Sequence, residues 1–96
     1  MKIIHLENEK FKDLIKGHVL VDFYANWCGP CKMMSSVLEK AESDIEVIKV
    51  DVDKFEKIAQ EYGVMSIPTL VLFDNGKEVK RNIGFISQEQ LQEFVK

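Results

Sequence analysis

Two cysteines three positions apart, Cys28 and Cys31, are the chain's only thiols, and they sit in the run Trp27-Cys28-Gly29-Pro30-Cys31. A bridge between them would close a loop too small to add much stability through loop entropy, so it suits being made and broken. Disulfide exchange begins with attack by a thiolate on a disulfide sulfur. Cys28 falls where a buried strand pattern ends and a helical one begins, and the free N–H groups and positive dipole end of a helix favour a thiolate there. Cys31, one turn further on, is placed to attack a mixed disulfide at Cys28 and expel the substrate. Gly29 lets a substrate backbone come close. Pro30 suits a first helical turn, where a missing N–H costs nothing. Neither intervening residue carries a charge that would stabilise the thiolate further, which argues for a reductant or carrier over a strong oxidant.

Other thiol chemistry fits poorly. A structural zinc site takes four ligands, and the chain offers two cysteines plus His5 and His18. His18 precedes a strand of about seven residues that ends near Cys28, which puts it roughly 20 Å away. That distance also rules against a Cys–His nucleophilic pair, and an iron–sulfur cluster fails on ligand count. Inert buried cysteines are disfavoured because a strand-to-helix junction is expected to expose its side chain.

The rest of the chain must position that pair. Ninety-six residues, 46% apolar and 30% charged, predict one soluble domain spanning residues 1–96. The net charge of −3 is spread among interspersed acids and bases. No basic stripe offers a track for nucleic acid, and no apolar run has the length to cross a bilayer. Met1-Lys2-Ile3-Ile4-His5-Leu6 is too short and polar for a signal peptide core, which leaves a cytoplasmic protein or a mature form whose leader was removed; the cytoplasm, the simpler of the two, is the expectation.

Ile3 to Leu6 reads as a short strand. Asn8 is placed to cap a helix carrying Phe11, Leu14 and Ile15, with Gly17 as its stop. Val19 to Ala25 is a nearly continuous apolar run, the mark of a strand covered on both faces. A helix after the cysteines presents Met33, Met34, Val37, Leu38 and Ala41 on one side, and Ile45 to Val52 returns to strand. Asp53 with Glu56 reads as a capping box opening a helix that Gly63 closes. Thr69 to Phe73 and Glu78 to Ile83 flank Asn75-Gly76, a strong hairpin signal, and Ser87 caps a last helix with Leu91, Phe94 and Val95. The order βαβαβα then ββα predicts an α/β fold: a central mixed sheet with helices on both faces.

The segment Val21-Asp22-Phe23-Tyr24-Ala25-Asn26-Trp27-Cys28-Gly29-Pro30-Cys31-Lys32 resembles the active-site segment of thioredoxins. Ile67-Pro68-Thr69-Leu70 followed by Phe73-Asp74-Asn75-Gly76 resembles them too, and the likeness runs over essentially the whole chain. It implies a thioredoxin fold and a small redox carrier that reduces protein disulfides, with Cys28 as nucleophile and Cys31 as resolving thiol. Asp22 would handle the Cys31 proton, with Lys49 beside it on the neighbouring strand. Pro68 would be a cis proline facing the cysteines, and Ile67 would offer its backbone to an extended substrate. Trp27, Ile67 and Gly84 would line a shallow apolar groove. No cofactor would be bound. Reducing equivalents would come from NADPH through a flavoprotein, a thioredoxin reductase, to a monomer acting on diverse disulfide-containing proteins.

The residues themselves support part of this. Asp22 interrupts an apolar strand, where a carboxylate is expensive unless paired or protonated. Desolvation would raise its pKa and suit it to proton transfer. Lys49 alternates with Ile48 and Val50, a pattern that by itself reads as a solvated side chain. Three positions depart from the usual thioredoxin pattern. Tyr24 stands where a second Trp is common, Asn26 where an acid is common, and Ser36 where a helix-kinking proline is common. A straighter helix after the cysteines is the expectation from Ser36. Two other roles stay open on these residues: a binding module contacting partners around Trp27, and an oxidase or isomerase of an oxidising compartment.

Overall fold

The computed structural model describes residues 1–96 and orders them as β1 (Lys2–His5), α1 (Phe11–Leu14), β2 (His18–Tyr24), α2 (Gly29–Lys40), β3 (Glu46–Asp51), α3 (Glu56–Glu61), β4 (Thr69–Asp74), β5 (Lys77–Ile83) and α4 (Gln88–Phe94). The strands form one mixed sheet in the order β1-β3-β2-β4-β5. β1, β3 and β2 run parallel, and β4 and β5 are antiparallel additions. This is the expected βαβαβα-ββα order, with β2 at the centre between β3 and β4.

Alternation along the central strands sorts side chains into two cores. Val21, Phe23, Ile48, Val50, Val71 and Phe73 pack on one face with Phe11 and Ala59, from α1 and α3. Leu20, Val47, Leu70 and Leu72 pack on the other with Met34, Leu38 and Leu91, from α2 and α4. Phe73 anchors the first core with edge-on contacts to Tyr62 at 5.5 Å and Phe11 at 6.1 Å between ring centroids. Truncation of a buried aromatic of this kind costs about 3–5 kcal/mol. The same alternation puts Asp22, two residues after Leu20, and Lys49, two after Val47, on the face covered by α2.

Local signals held where no distant side chain competed. Asn75 and Gly76 both take positive φ, 56° and 82°, as a tight hairpin turn requires. Ser87 caps α4 with a reciprocal box to Gln90. Gly63 ends α3 at a φ of 63°.

Two predicted caps are corrected. α1 starts after Lys10 with no side-chain cap, because the segment at Asn8 is organised by the Glu9 carboxylate, which accepts from the N–H groups of Glu7 and Asn8. α3 starts after Phe55, also uncapped, because the Asp53 carboxylate is taken by Trp27. Met33, expected on the packed side of α2, is 57% exposed, while Met34 and Leu38 face the sheet. α2 runs as one uninterrupted helix through Ser36. At the sheet edge, Arg81 on β5 pairs with Glu78 at 2.8 Å and donates to the carbonyls of Tyr62 and Gly63 at the end of α3.

Candidate active site

Strand β2 delivers the chain to the cysteines, and Cys28 is the N-cap residue of α2. Cys28 and Cys31 are joined as a disulfide with their Cα atoms 5.2 Å apart. The Cys28 sulfur also accepts from the Cys31 backbone N–H at 3.2 Å, so a donor of the helix's first turn points at it. Pro30 lies in that turn, where it removes no helical bond. The expectation that the junction exposes Cys28 is corrected. Its exposure is only 5%, because Ala25, Val52 and Ile67 pack around the bridge.

On the Cys28 side, the sulfur lies 4.0 Å from the Ile67 carbonyl oxygen. The Ile67–Pro68 peptide is cis. A cleft of about 190 Å³ next to it is lined by Trp27, Val52, Val64, Met65, Ser66 and Ile67. Trp27 is 71% exposed and is held by a 2.8 Å bond from its indole N–H to Asp53. The loop is tied down at its end: the Thr69 hydroxyl donates to the Ser66 carbonyl at 2.6 Å, and the Gly84 N–H to the Pro68 carbonyl at 2.8 Å. Gly84 thus supports Pro68 from behind and is not among the residues lining the cleft. Met65, 94% exposed on the rim, was not singled out by its sequence, since one methionine among loop residues carries no pattern.

On the Cys31 side the chemistry is polar. Asp22 is opposite Lys49 in the β2–β3 register and opposite the apolar Leu70 on β4. The carboxylate is inaccessible to solvent, and the Lys49 ammonium stands 3.6 Å from it. Burial pushes the Asp22 pKa up to about 6, against a smaller opposing pull from Lys49. Neither carboxylate oxygen has a hydrogen-bond partner. Lys49 instead donates to the Ser35 hydroxyl, and its ammonium lies 4.6 Å from the centre of the Tyr24 ring. A cleft of about 210 Å³, lined by His5, Tyr24, Ala25, Asn26, Cys31, Lys32, Ser35 and Lys49, opens this corner to solvent.

The solvated reading of Lys49 is therefore corrected and the position implied by the resemblance holds. β3 is a central strand with both faces covered, so alternation along it does not mark a wet side. Ser35 was missed. The one signal for it was its spacing of four from Cys31, which places both on the same side of α2. Asn26 donates to Asp51 at 3.3 Å on the surface. His18, at the far end of β2, lies 3.1 Å from the Val95 carbonyl oxygen. No group of three or more His, Cys, Asp and Glu side chains is arranged to hold a metal. No helix is long and apolar enough to cross a membrane.

A Cys-x-x-Cys disulfide at the N-terminus of a helix, fed by a central strand that carries a buried carboxylate, defines a protein-disulfide oxidoreductase centre that works by dithiol–disulfide exchange. The Thioredoxin family model matches residues 2–96. The chain is 44% identical to thioredoxin of Chlamydia trachomatis serovar D, covering 94% of this chain and 92% of that one. It is 42% identical to thioredoxin of Bacillus subtilis, covering 99% and 96%. Among solved structures, a mutant thioredoxin from Halobacterium salinarum superposes with a TM-score of 0.89 at 35% identity, covering 98% of this chain and 88% of that one. Thioredoxin from Malassezia sympodialis gives 0.85 at 36%, covering 99% and 91%. The chain belongs to the thioredoxin family, and its fold is the thioredoxin fold.

Proposed function

We propose that the protein is an electron-carrying reductase of protein disulfides in which Cys28 attacks and Cys31 resolves. The Cys28 thiolate attacks one sulfur of a substrate disulfide, forming the mixed disulfide and releasing the other substrate sulfur as a thiolate. Asp22 takes the Cys31 proton. The Cys31 thiolate then attacks the Cys28 sulfur, breaks the mixed disulfide and releases the second substrate sulfur as a thiolate, and Asp22 returns its proton to solvent. Two electrons pass from the dithiol to the substrate, and the Cys28–Cys31 bridge is the oxidised product. The observation that carries this division of labour is that the Cys28 sulfur lies against the Ile67 carbonyl beside the apolar cleft, while Cys31 lines the polar one.

Substrates would dock as extended segments along Trp27, Ile67 and the cis Pro68, through backbone contacts and apolar packing that suit many proteins. Gly29 would permit close approach, and Gly84 would act through Pro68. The bridge would be reset by a thioredoxin reductase, a flavoprotein drawing on NADPH, with no cofactor bound to this chain. The fold would work as a monomeric domain over residues 1–96 in the cytoplasm. The test is disulfide reduction with reductase and NADPH supplied. Cys28→Ser is expected to be inactive, and Cys31→Ser to accumulate mixed disulfides with substrate. Activity surviving Cys28→Ser would refute the assignment.

A further inference from the structure

Lys49 and Asp22 are both buried and form an ion pair, yet their nearest approach is 3.6 Å, longer than a direct hydrogen bond. Such pairs ordinarily close to a direct charge-assisted bond of about 2.7–2.9 Å. Here the ammonium stops 3.6 Å short of the carboxylate and donates to the Ser35 hydroxyl, while both Asp22 oxygens are left without a partner. Ser35 projects from α2 one turn after Cys31 and lines the same cleft as Cys31 and Lys49.

We propose that Ser35 is a positioning residue: its hydroxyl takes the Lys49 ammonium as a hydrogen bond and keeps it out of bonding reach of the Asp22 carboxylate, which is thereby left free to hold a proton. The inference deepens the proton-transfer reading of Asp22 and rests on it for its functional meaning. A direct Lys49–Asp22 bond would favour the ionised carboxylate and hold it as a spectator. The hydroxyl competes for the same donor and gives the ammonium a neutral acceptor, so the pair remains loose in a place where burial would otherwise tighten it.

The other titratable groups around this corner do not replace Lys49. His5 on β1 is opposite Lys49 in register, Tyr24 on β2 lies under its ammonium, and Lys32 on α2 lines the cleft. Asp51, at the end of β3, is engaged by Asn26. Strand β4 presents the apolar Leu70. Lys49 is the one cation that forms an ion pair with Asp22.

The test is a carboxyl-carbon NMR titration of Asp22 in the oxidised full-length protein, for wild type, Ser35→Ala and Ser35→Thr, together with the pH profile of disulfide reduction. With the hydroxyl removed, Lys49 is expected to close on Asp22 and lower its pKa by roughly one unit. Ser35→Thr, which keeps a hydroxyl, is expected to titrate like wild type. An unchanged or raised Asp22 pKa in Ser35→Ala overturns the inference, as does an equal shift in Ser35→Thr. A lowered pKa with an unmoved pH–rate profile upholds the positioning and refutes instead the assignment of Asp22 as the group that takes the Cys31 proton.

Discussion

The cleft beside Cys28 and the cleft beside Cys31 are similar in volume, about 190 and 210 Å³, and opposite in chemistry. The first is made by an exposed indole and the cis-proline loop, held in place by bonds at its margins. The second is lined by Lys49, Ser35 and Tyr24, together with His5 and Lys32. Cys31 lines the second cleft, and the Cys28 sulfur lies 4.0 Å from the carbonyl oxygen of Ile67, which lines the first. In the proposed mechanism the attacking sulfur meets many proteins, which favours apolar, sequence-tolerant contact. In the proposed mechanism the resolving sulfur must lose a proton, a step suited to a base whose pKa has been raised towards neutrality. One short motif can serve both needs because a strand end and a helix start diverge there.

The comparison breaks most visibly at Asp22. For an acid whose folded pKa lies near 6 and whose ordinary value is 3.8, the folded state holds the proton more tightly. The contribution of Asp22 to stability is then fully present below pH 4 and is lost as pH rises through the folded pKa. The loss amounts to about 3 kcal/mol once both states are ionised. In Asp22→Asn that slope should vanish, so the variant's stability relative to wild type should be about 3 kcal/mol more favourable at pH 8 than at pH 3. Urea unfolding at the two pH values measures it, and parallel curves for the two proteins would contradict the buried-acid account. The same variant should slow release of the mixed disulfide and leave its formation largely intact.

A smaller effect is expected on the apolar side. Trp27→Ala removes the exposed wall of the Cys28 cleft and should lower reduction of a folded protein disulfide by roughly tenfold, the size of a modest contact residue. Reduction of a small aliphatic disulfide, which needs no cleft, should change far less. Equal losses for both substrates would mean that Trp27 acts on the thiol itself. The smallest effect belongs to the rim. Asn26→Glu adds a charge near Cys28, and because that position is exposed and screened, the Cys28 thiolate pKa should rise by only a few tenths of a unit. Ultraviolet thiolate titration of the reduced protein reads this directly, and identical titrations would show that Asn26 has no electrostatic say.

What could be read from the chain followed from how local each determinant is. The hairpin at Asn75-Gly76 and the Ser87 cap are made within a few residues, and both formed as read. The cap expected from Asp53 depended on a carboxylate that Trp27, twenty-six positions away, claims first. Lys49 showed the same limit on a strand: alternation marks a wet side only where one face is wet, and β3 is covered on both. The cysteine chemistry and the odd carboxylate of β2 were legible because their residue types are out of place in an apolar run. Ser35 was not, since an ordinary serine on a helix announces nothing until its partner is seen.

The loop between Gly63 and Thr69 is fastened at each end, by Arg81 on the carbonyls that close α3 and by the Thr69 and Gly84 bonds to Ser66 and Pro68. A docking segment that adds itself along Ile67 would meet a strip of backbone already tied down at both ends. The ordering entropy of recognition then falls on the visitor alone. Clients whose disulfide lies in a slack or extended stretch should consequently outcompete those in which it is locked within a sheet.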